Sequence, residues 1–363
     1  MPPGRTKRSA PPLRAPRGQR RRDRQDLAAA IHLFILVSNN TPHASLGSAP
    51  WGVTFFWSLP VQFNKPPLSF DDQLDRLIQR GLTVPDRERA LHYLRHLNYY
   101  RLGAYWLPFE AEHQTHRLRP GTSLDDVLNL YVFDREFRLL VLDAIERIEV
   151  SIRTCWAYHM AHTYGPHCHL APALFKPPHR SWRYEERLRT LEGEVRRSQE
   201  TFIRHLSITY DEPLPPIWAL VEIMTFGQLS QWYANTRQRR DRNAVAREYD
   251  FDESVLTSVL HHLSTVRNQC AHHARLWNRE FTFLPKLPKD RPAAVLDSLS
   301  FDASRRIYNT LTLMLYLMDV VNPHHHWRER LIDLIDRHTI HVAEMGFPDD
   351  WRERPLWRMS QPK

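Results

Sequence analysis

Apolar residues along the chain recur at steps of three and four, the period of an amphipathic helix, and no segment alternates with the period of two that marks a half-buried strand. Ser69 can cap a helix from Phe70 with Leu74, Leu77 and Ile78 as its apolar stripe and Gly81 as its stop. Asp86 caps a second, with Ala90, Leu91, Leu94 and Leu97 inward, which runs into the aromatic patch Tyr99, Tyr100, Tyr105 and Trp106. The longest periodic stretch opens at Thr122 and Ser123 and stops near Gly165-Pro166. Leu124, Val127, Leu128, Tyr131, Leu139, Leu142, Ile145, Ile148, Ile152 and Trp156 carry it, as one long helix or two in tandem. Asp134–Arg138 and Glu149–Arg153 are spaced as i,i+4 pairs that would support its exposed side. Further helices are predicted over Trp182–Ser198, over Trp218–Tyr233 after the Pro213–Pro216 turn, from Asp252 to about His272, over Ile307–Val321 and over Trp327–His338. No repeat is found, and the fold class is all-α, a helical bundle.

The pattern sets in at about Asn64. Residues 1–60 read as a disordered extension, 61–345 as the helical domain and 346–363 as a C-terminal tail. The chain has 363 residues, a formal charge of +9 and a sequence pI near 9.6, which points to an anionic partner. The charge is not spread out. Residues 1–26 hold nine Lys/Arg against Asp23 and Asp26, and the rest carries 41 basic and 39 acidic groups. Any recognition of nucleic acid by the helical domain therefore rests on local cations. The apolar run Leu27–Val37 after the basic tail imitates a secretory leader, but it is too short to span a bilayer as a helix. A translation start near Leu59 or Val61, with residues 1–60 outside the native chain, accounts for the same features. Three cysteines and no C-x-x-C fit a reducing compartment, and the reading is a cytoplasmic protein with no membrane partner. Few glycines (11) argue against phosphate-binding Gly-rich loops.

The segment rich in chemistry is Val266-Arg267-Asn268-Gln269-Cys270-Ala271-His272-His273-Ala274-Arg275-Leu276-Trp277-Asn278-Arg279. At about 100° per residue, Val255, Val259, Leu263, Val266 and Cys270 share the core side of a helix, and His273 joins them if the helix continues. Asn268 and His272 fall opposite, with Ser264 and Arg275 nearby and Arg267 on the flank. An imidazole passes protons near neutral pH, and a guanidinium matches phosphate oxygens, so the set suits phosphodiester chemistry. The bland reading of the same residues is a solvated helix face. Arg267 and His272 stand about 140° apart and about 7.5 Å apart along an ideal helix. One straight helix does not aim both at one atom. Either the helix breaks near Ala271 or a second copy supplies the other group, which predicts a symmetric dimer.

These residues resemble the Abi family of bacterial abortive-infection proteins, related to the HEPN (higher eukaryotes and prokaryotes nucleotide-binding) superfamily. Its motif is Arg, four to six residues, then His. Arg267 to His272 gives the four-residue form and Arg267 to His273 the five-residue form. The longer run Arg-Asn-x-Cys-Ala-His-His-x-Arg-Leu-Trp-Asn-Arg is more specific. Lys65-Pro66-Pro67-Leu68-Ser69-Phe70-Asp71-Asp72-Gln73, Leu97-Asn98-Tyr99-Tyr100-Arg101-Leu102, Tyr131-Val132-Phe133-Asp134-Arg135 and Pro216-Ile217-Trp218-Ala219-Leu220-Val221-Glu222 support it, over about residues 64–340. The resemblance implies a HEPN core at about 122–280 with additional helices. It also implies metal-independent RNA cleavage in which a ribose 2′-hydroxyl attacks the adjacent phosphate. His272 would be the general acid/base, Arg267 would stabilise the phosphate charge and Asn268 would orient either, with His273 and Arg275 in support. No cofactor or metal is required. The partners implied are an RNA substrate, a second copy of the chain and a protein or small-RNA antitoxin, in the setting of a toxin-like effector of phage defence. The alternative is a catalytically inactive RNA- or nucleotide-binding regulator of the same fold.

Other readings are weaker on spacing. His261, His262, Cys270, His272 and His273, the group His167-Cys168-His169 and the run His324–His326 lack the paired spacing of a zinc site. The Tyr99–Trp106 aromatics read as core before they read as a base-stacking platform. A DNA-binding regulator would need Arg237–Arg242 as a recognition element, and that stretch reads as a solvated loop.

Overall fold

The first helix among the described residues begins where its sequence signal says. Ser69 accepts from the Asp72 backbone N–H at 3.1 Å while its own N–H donates to the Asp72 carboxylate, a reciprocal cap that opens α1 (Phe70–Gln79). The computed structural model describes residues 62–302 and 305–359, so the expectations for residues 1–60 lie outside them. Thirteen α-helices and one two-stranded sheet occur among the described residues, and the fold is all-α. The chain forms two compact units, one up to Leu124 and one from Asp125. No helix among the described residues is long and apolar enough to cross a membrane.

In the first unit, Gly81 at φ +100° ends α1: its N–H donates to the Ile78 carbonyl and the Leu82 N–H to Leu77. Asp86 caps α2 (Arg87–Leu97), which packs on α1 through Ala90, Leu91 and Leu94. Asn98, also left-handed, breaks the chain and caps α3 (Tyr99–Trp106). Tyr105 and Trp106 are core, whereas Tyr100 is exposed. A hairpin of β1 (Glu110–Glu112) and β2 (Arg117–Leu118) follows, too short to leave a periodic signal.

The second unit is built on α4 (Leu124–Tyr164), one continuous 41-residue helix rather than two. Phe133, Phe137, Val141, Ile145, Ile148, Ile152 and Trp156 are buried along it, while Leu139, placed inward by the pattern, is exposed. The larger departure concerns charge. Asp134 and Arg138 do not support an exposed side; they are an ion pair sealed in the core.

After α4 come α5 (Tyr184–Arg197) and α6 (Thr201–Thr209), the latter absent from the helices predicted by spacing. The predicted helix over Trp218–Tyr233 is two, α7 (Ile217–Ile223) and α8 (Phe226–Asn235). Thr225 restarts the chain there: its N–H donates to Gln228 Oε1 at 2.6 Å and its hydroxyl accepts from the Gln228 N–H. The Arg237–Arg242 stretch is no loop either. Residues from Arg239 form α9 (Arg239–Arg247), with Arg242 buried against Glu253 and the Thr236 carbonyl. Then follow α10 (Glu253–Ala271), packed on α8 and α9, the short α11 (Ala293–Leu296), α12 (Tyr308–Val321) and α13 (Trp327–Arg337). Phe347, Trp351 and Trp357, beyond α13, are buried beside Tyr308 of α12.

Two histidines sit in this core uncharged. His262 Nδ1 lies 3.0 Å from the Phe283 carbonyl and Nε2 2.8 Å from Thr310 Oγ1, tying α10 to α12. Burial pushes His262 down to about 4, and it does the same to His169, whose ring nitrogens are both buried. An unfolded imidazole takes its proton near pH 6.5. Between about pH 6.5 and 4 the unfolded chain therefore binds more protons, and stability falls as pH falls. From pH 6.5 to 5.5 the loss approaches ~1 kcal/mol for each histidine. Urea midpoints across that interval check it; midpoints that hold steady would exclude neutral buried imidazoles.

Candidate nucleic-acid cleavage site

The core side of α10 is formed by Val255, Val259, Leu263, Val266 and Cys270, all buried as the helical wheel requires. Cys270 is no nucleophile: burial, with the Asp134 carboxylate nearby, pushes its thiol up to about 12. Asn268 and His272 emerge on the other side and are exposed, with Arg267 half-buried between the two faces. Arg267 Nη1 donates to Asn268 Oδ1 at 3.4 Å, so these two side chains meet.

The helix ends at Ala271. The His273 N–H donates to the Cys270 carbonyl at 3.0 Å and the Ala274 N–H to the Gln269 carbonyl at 2.9 Å, the paired bonds of a Schellman terminus. His273 occupies the left-handed position, at φ +57°, that glycine usually takes. This overturns the expectation that His273 packs on the core side. The helix stops before reaching it, and His273 is exposed. Arg275 is half-buried, and its carbonyl accepts from Arg279 Nη1 at 3.2 Å.

The break falls too late to turn His272 toward Arg267. The His272 N–H still donates to the Asn268 carbonyl at 2.9 Å, so its Cα stays on the helical spiral. One chain presents Arg267–Asn268 as a group and His272 on the next turn.

The chain leaving the helix is held by α4. Asp134 Oδ1 accepts from the backbone N–H of Leu276 at 3.0 Å and of Trp277 at 2.6 Å, and Oδ2 accepts from Arg138. Leu276 and Trp277 are buried beneath that clamp. Arg306 Nη1 donates to the Asn278 carbonyl at 2.7 Å, and Asn278 Nδ2 to Glu344 at 2.9 Å.

A second acidic residue of α4 faces the arginine. Burial raises the Glu149 carboxyl, and the guanidiniums of Arg153 and Arg267 oppose that rise. Arg153 pairs with Glu149 and donates to the Met224 carbonyl at 2.7 Å, spanning from α4 to the α7–α8 junction. Periodicity marks both α4 pairs, but i,i+4 spacing carries no information on which pair is buried. Among the described residues, no three His, Cys, Asp or Glu side chains lie close enough together to hold a metal ion.

A sequence model of the family described as Abi-like protein matches residues 92–278, a span that ends at the clamped segment. No curated protein and no solved structure matches the chain.

Proposed function

Since the chain belongs to the Abi-like protein family, we propose that it is an effector of abortive infection that cleaves RNA without a metal. The observation that carries the reading is the clamped end of α10, which exposes His272 to solvent one helical turn from the half-buried Arg267 and its exposed neighbour Asn268. In the reaction a base removes the proton of a ribose 2′-hydroxyl, and its oxygen forms a bond to the adjacent phosphorus. The bond from phosphorus to the 5′ oxygen breaks, and an acid protonates that leaving oxygen. The products are a 2′,3′-cyclic phosphate and a 5′-hydroxyl. His272 is the proton-transferring group, Arg267 meets the charge that grows on the phosphate oxygens, and Asn268 holds the guanidinium. His273 and Arg275 flank the site and support substrate contact.

The divergence of Arg267 and His272 on one chain supports a working cleft formed by two copies of this segment across a two-fold axis. Each copy then supplies Arg267 to the phosphate near the other's His272. Within each such site the single His272 takes the proton of the 2′-hydroxyl and returns it to the leaving 5′ oxygen.

Incubating the full chain with single-stranded RNA in excess chelator tests the proposal. The expected result is cleavage with cyclic-phosphate and 5′-hydroxyl ends. RNA that is bound and left intact would overturn it in favour of a regulatory binding module.

A further inference from the structure

The first unit gathers aromatic and cationic side chains around Tyr99, away from the residues assigned to cleavage. Asn98, in its left-handed conformation, accepts the Tyr100 N–H on its side chain at 2.9 Å and so sets two tyrosines on the first turn of α3. Tyr99 is half-buried: its ring lies 4.8 Å from that of buried Trp106, edge to face, and its hydroxyl accepts from Arg80 Nη1 at 2.9 Å. Tyr100 turns outward and is 84% exposed, with its ring 5.8 Å from that of Tyr99. Burial raises the Tyr99 hydroxyl, and the guanidiniums of Arg80 and of Arg76, one helical turn earlier, oppose that rise. Both arginines therefore stand beside the tyrosine pair.

The carboxylates of α1 are engaged elsewhere. Asp71 and Asp75 pair with Arg87 of α2 at 2.8 and 2.7 Å, and Asp72 accepts from the Ser69 hydroxyl at 2.6 Å in the N-terminal cap. The partner of Arg80 is a neutral hydroxyl, and among the described residues no carboxylate lies within ion-pair distance of Arg76 or Arg80. Their charge is left to meet an anion.

We infer that Arg76, Arg80 and Tyr100, backed by Tyr99, form a docking surface for single-stranded RNA. A phosphate lies against the two guanidiniums, and a base beside it stacks on the exposed ring of Tyr100. The choice of RNA over DNA rests on the cleavage reading; the choice of a single strand rests on the surface, because the bases of a closed duplex are already stacked. An acidic peptide would satisfy the arginines but leave the tyrosine face bare.

A 2′-O-methyl oligoribonucleotide cannot undergo 2′-hydroxyl attack, so it separates gripping from cutting. With 5-iodouracil in place of uracil, irradiation joins a base to the aromatic side chain it stacks on. On the full chain the expected product is a crosslinked peptide containing Tyr100, and Tyr100→Phe retains it. The oligonucleotide concentration that gives half-maximal crosslinking at Tyr100 reports affinity at this surface, whatever other part of the chain holds RNA. In Arg76→Gln the dependence of its logarithm on log salt becomes less steep by about 0.7, the share of one single-strand phosphate. No crosslink at Tyr100 would overturn the proposal, as would an unchanged salt dependence in Arg76→Gln or equal crosslinking to the same sequence in a duplex. Polyglutamate that suppresses the crosslink as well as unlabelled RNA would reassign the surface to acidic peptides. The cleavage reading fails separately: a chain that crosslinks at Tyr100 yet leaves unmodified RNA whole keeps the docking surface and loses the nuclease. A chain that cuts RNA with no crosslink at Tyr100 keeps the nuclease alone.

Discussion

Replacing His272 by Ala is expected to lower the proposed RNA cleavage by about 100- to 10,000-fold, the usual worth of a positioned proton-transfer group. It leaves stability within ~0.5 kcal/mol, because the side chain is exposed and only its backbone N–H holds the helix end. Arg267→Ala is expected to cost about 100- to 1,000-fold through the lost partner of the phosphate charge. Arg267→Lys restores little, since a single ammonium does not reproduce the planar fork that meets both Asn268 and a phosphate. If the cleft is shared between two copies, mixing the two inactive variants restores a fraction of activity, because a mixed pair retains one intact Arg267–His272 combination. Initial rates on one RNA, with each variant alone and mixed, measure all of this. Full activity in His272→Ala together with loss in His273→Ala would move the proton transfer to His273.

Asp134→Ala is expected to destabilise the second unit by about 3–5 kcal/mol, the cost of leaving one member of a buried ion pair without its partner. Arg138 would remain in the core, and the N–H groups of Leu276 and Trp277 would lose their acceptor. Asp134→Asn retains an acceptor for the two backbone donors and lies between the parent and the alanine variant. The proposed cleavage is expected to fall by more than the unfolded fraction explains, because Asp134 ties down the chain that leaves the His272 helix end. Urea unfolding followed by tryptophan fluorescence gives the order, and an alanine variant within ~1 kcal/mol of the parent would dismiss the clamp.

Much of the helical plan can be read from residue spacing. The caps at Ser69 and Asp86 and the wheel of α10 are local signals, and the chain obeys them. Departures arise where a short-range rule meets a long-range choice. The pair Asp134–Arg138 satisfies the pattern of an exposed helix salt bridge, but its burial depends on Leu276 and Trp277 arriving from far along the chain. Arg242 has the sequence setting of a cation in a solvated loop and is buried because Glu253 and the Thr236 carbonyl await it. At Thr225 the capping signal is present, followed three residues later by Gln228, and is masked by the apolar pattern running across it. In the candidate site, Arg267, Asn268 and His272 can be chosen from the wheel. The position of His273 cannot, since it depends on a helix end with no glycine to announce it.

The clamp at Asp134 also bears on the order of assembly. Its two backbone donors lie 142 and 143 residues away along the chain, among the most distant contacts that shape the site. Closing so large a loop is slow relative to forming the local helices. During synthesis, α4 is complete long before the segment that hydrogen-bonds its buried Asp134 carboxylate emerges from the ribosome. A chain arrested between His272 and Leu276 therefore carries Arg267 and His272 with no clamped helix end, and one arrested earlier lacks His272 altogether. Under the proposed RNA-cleaving activity, that delay keeps unfinished copies harmless to the machinery that makes them.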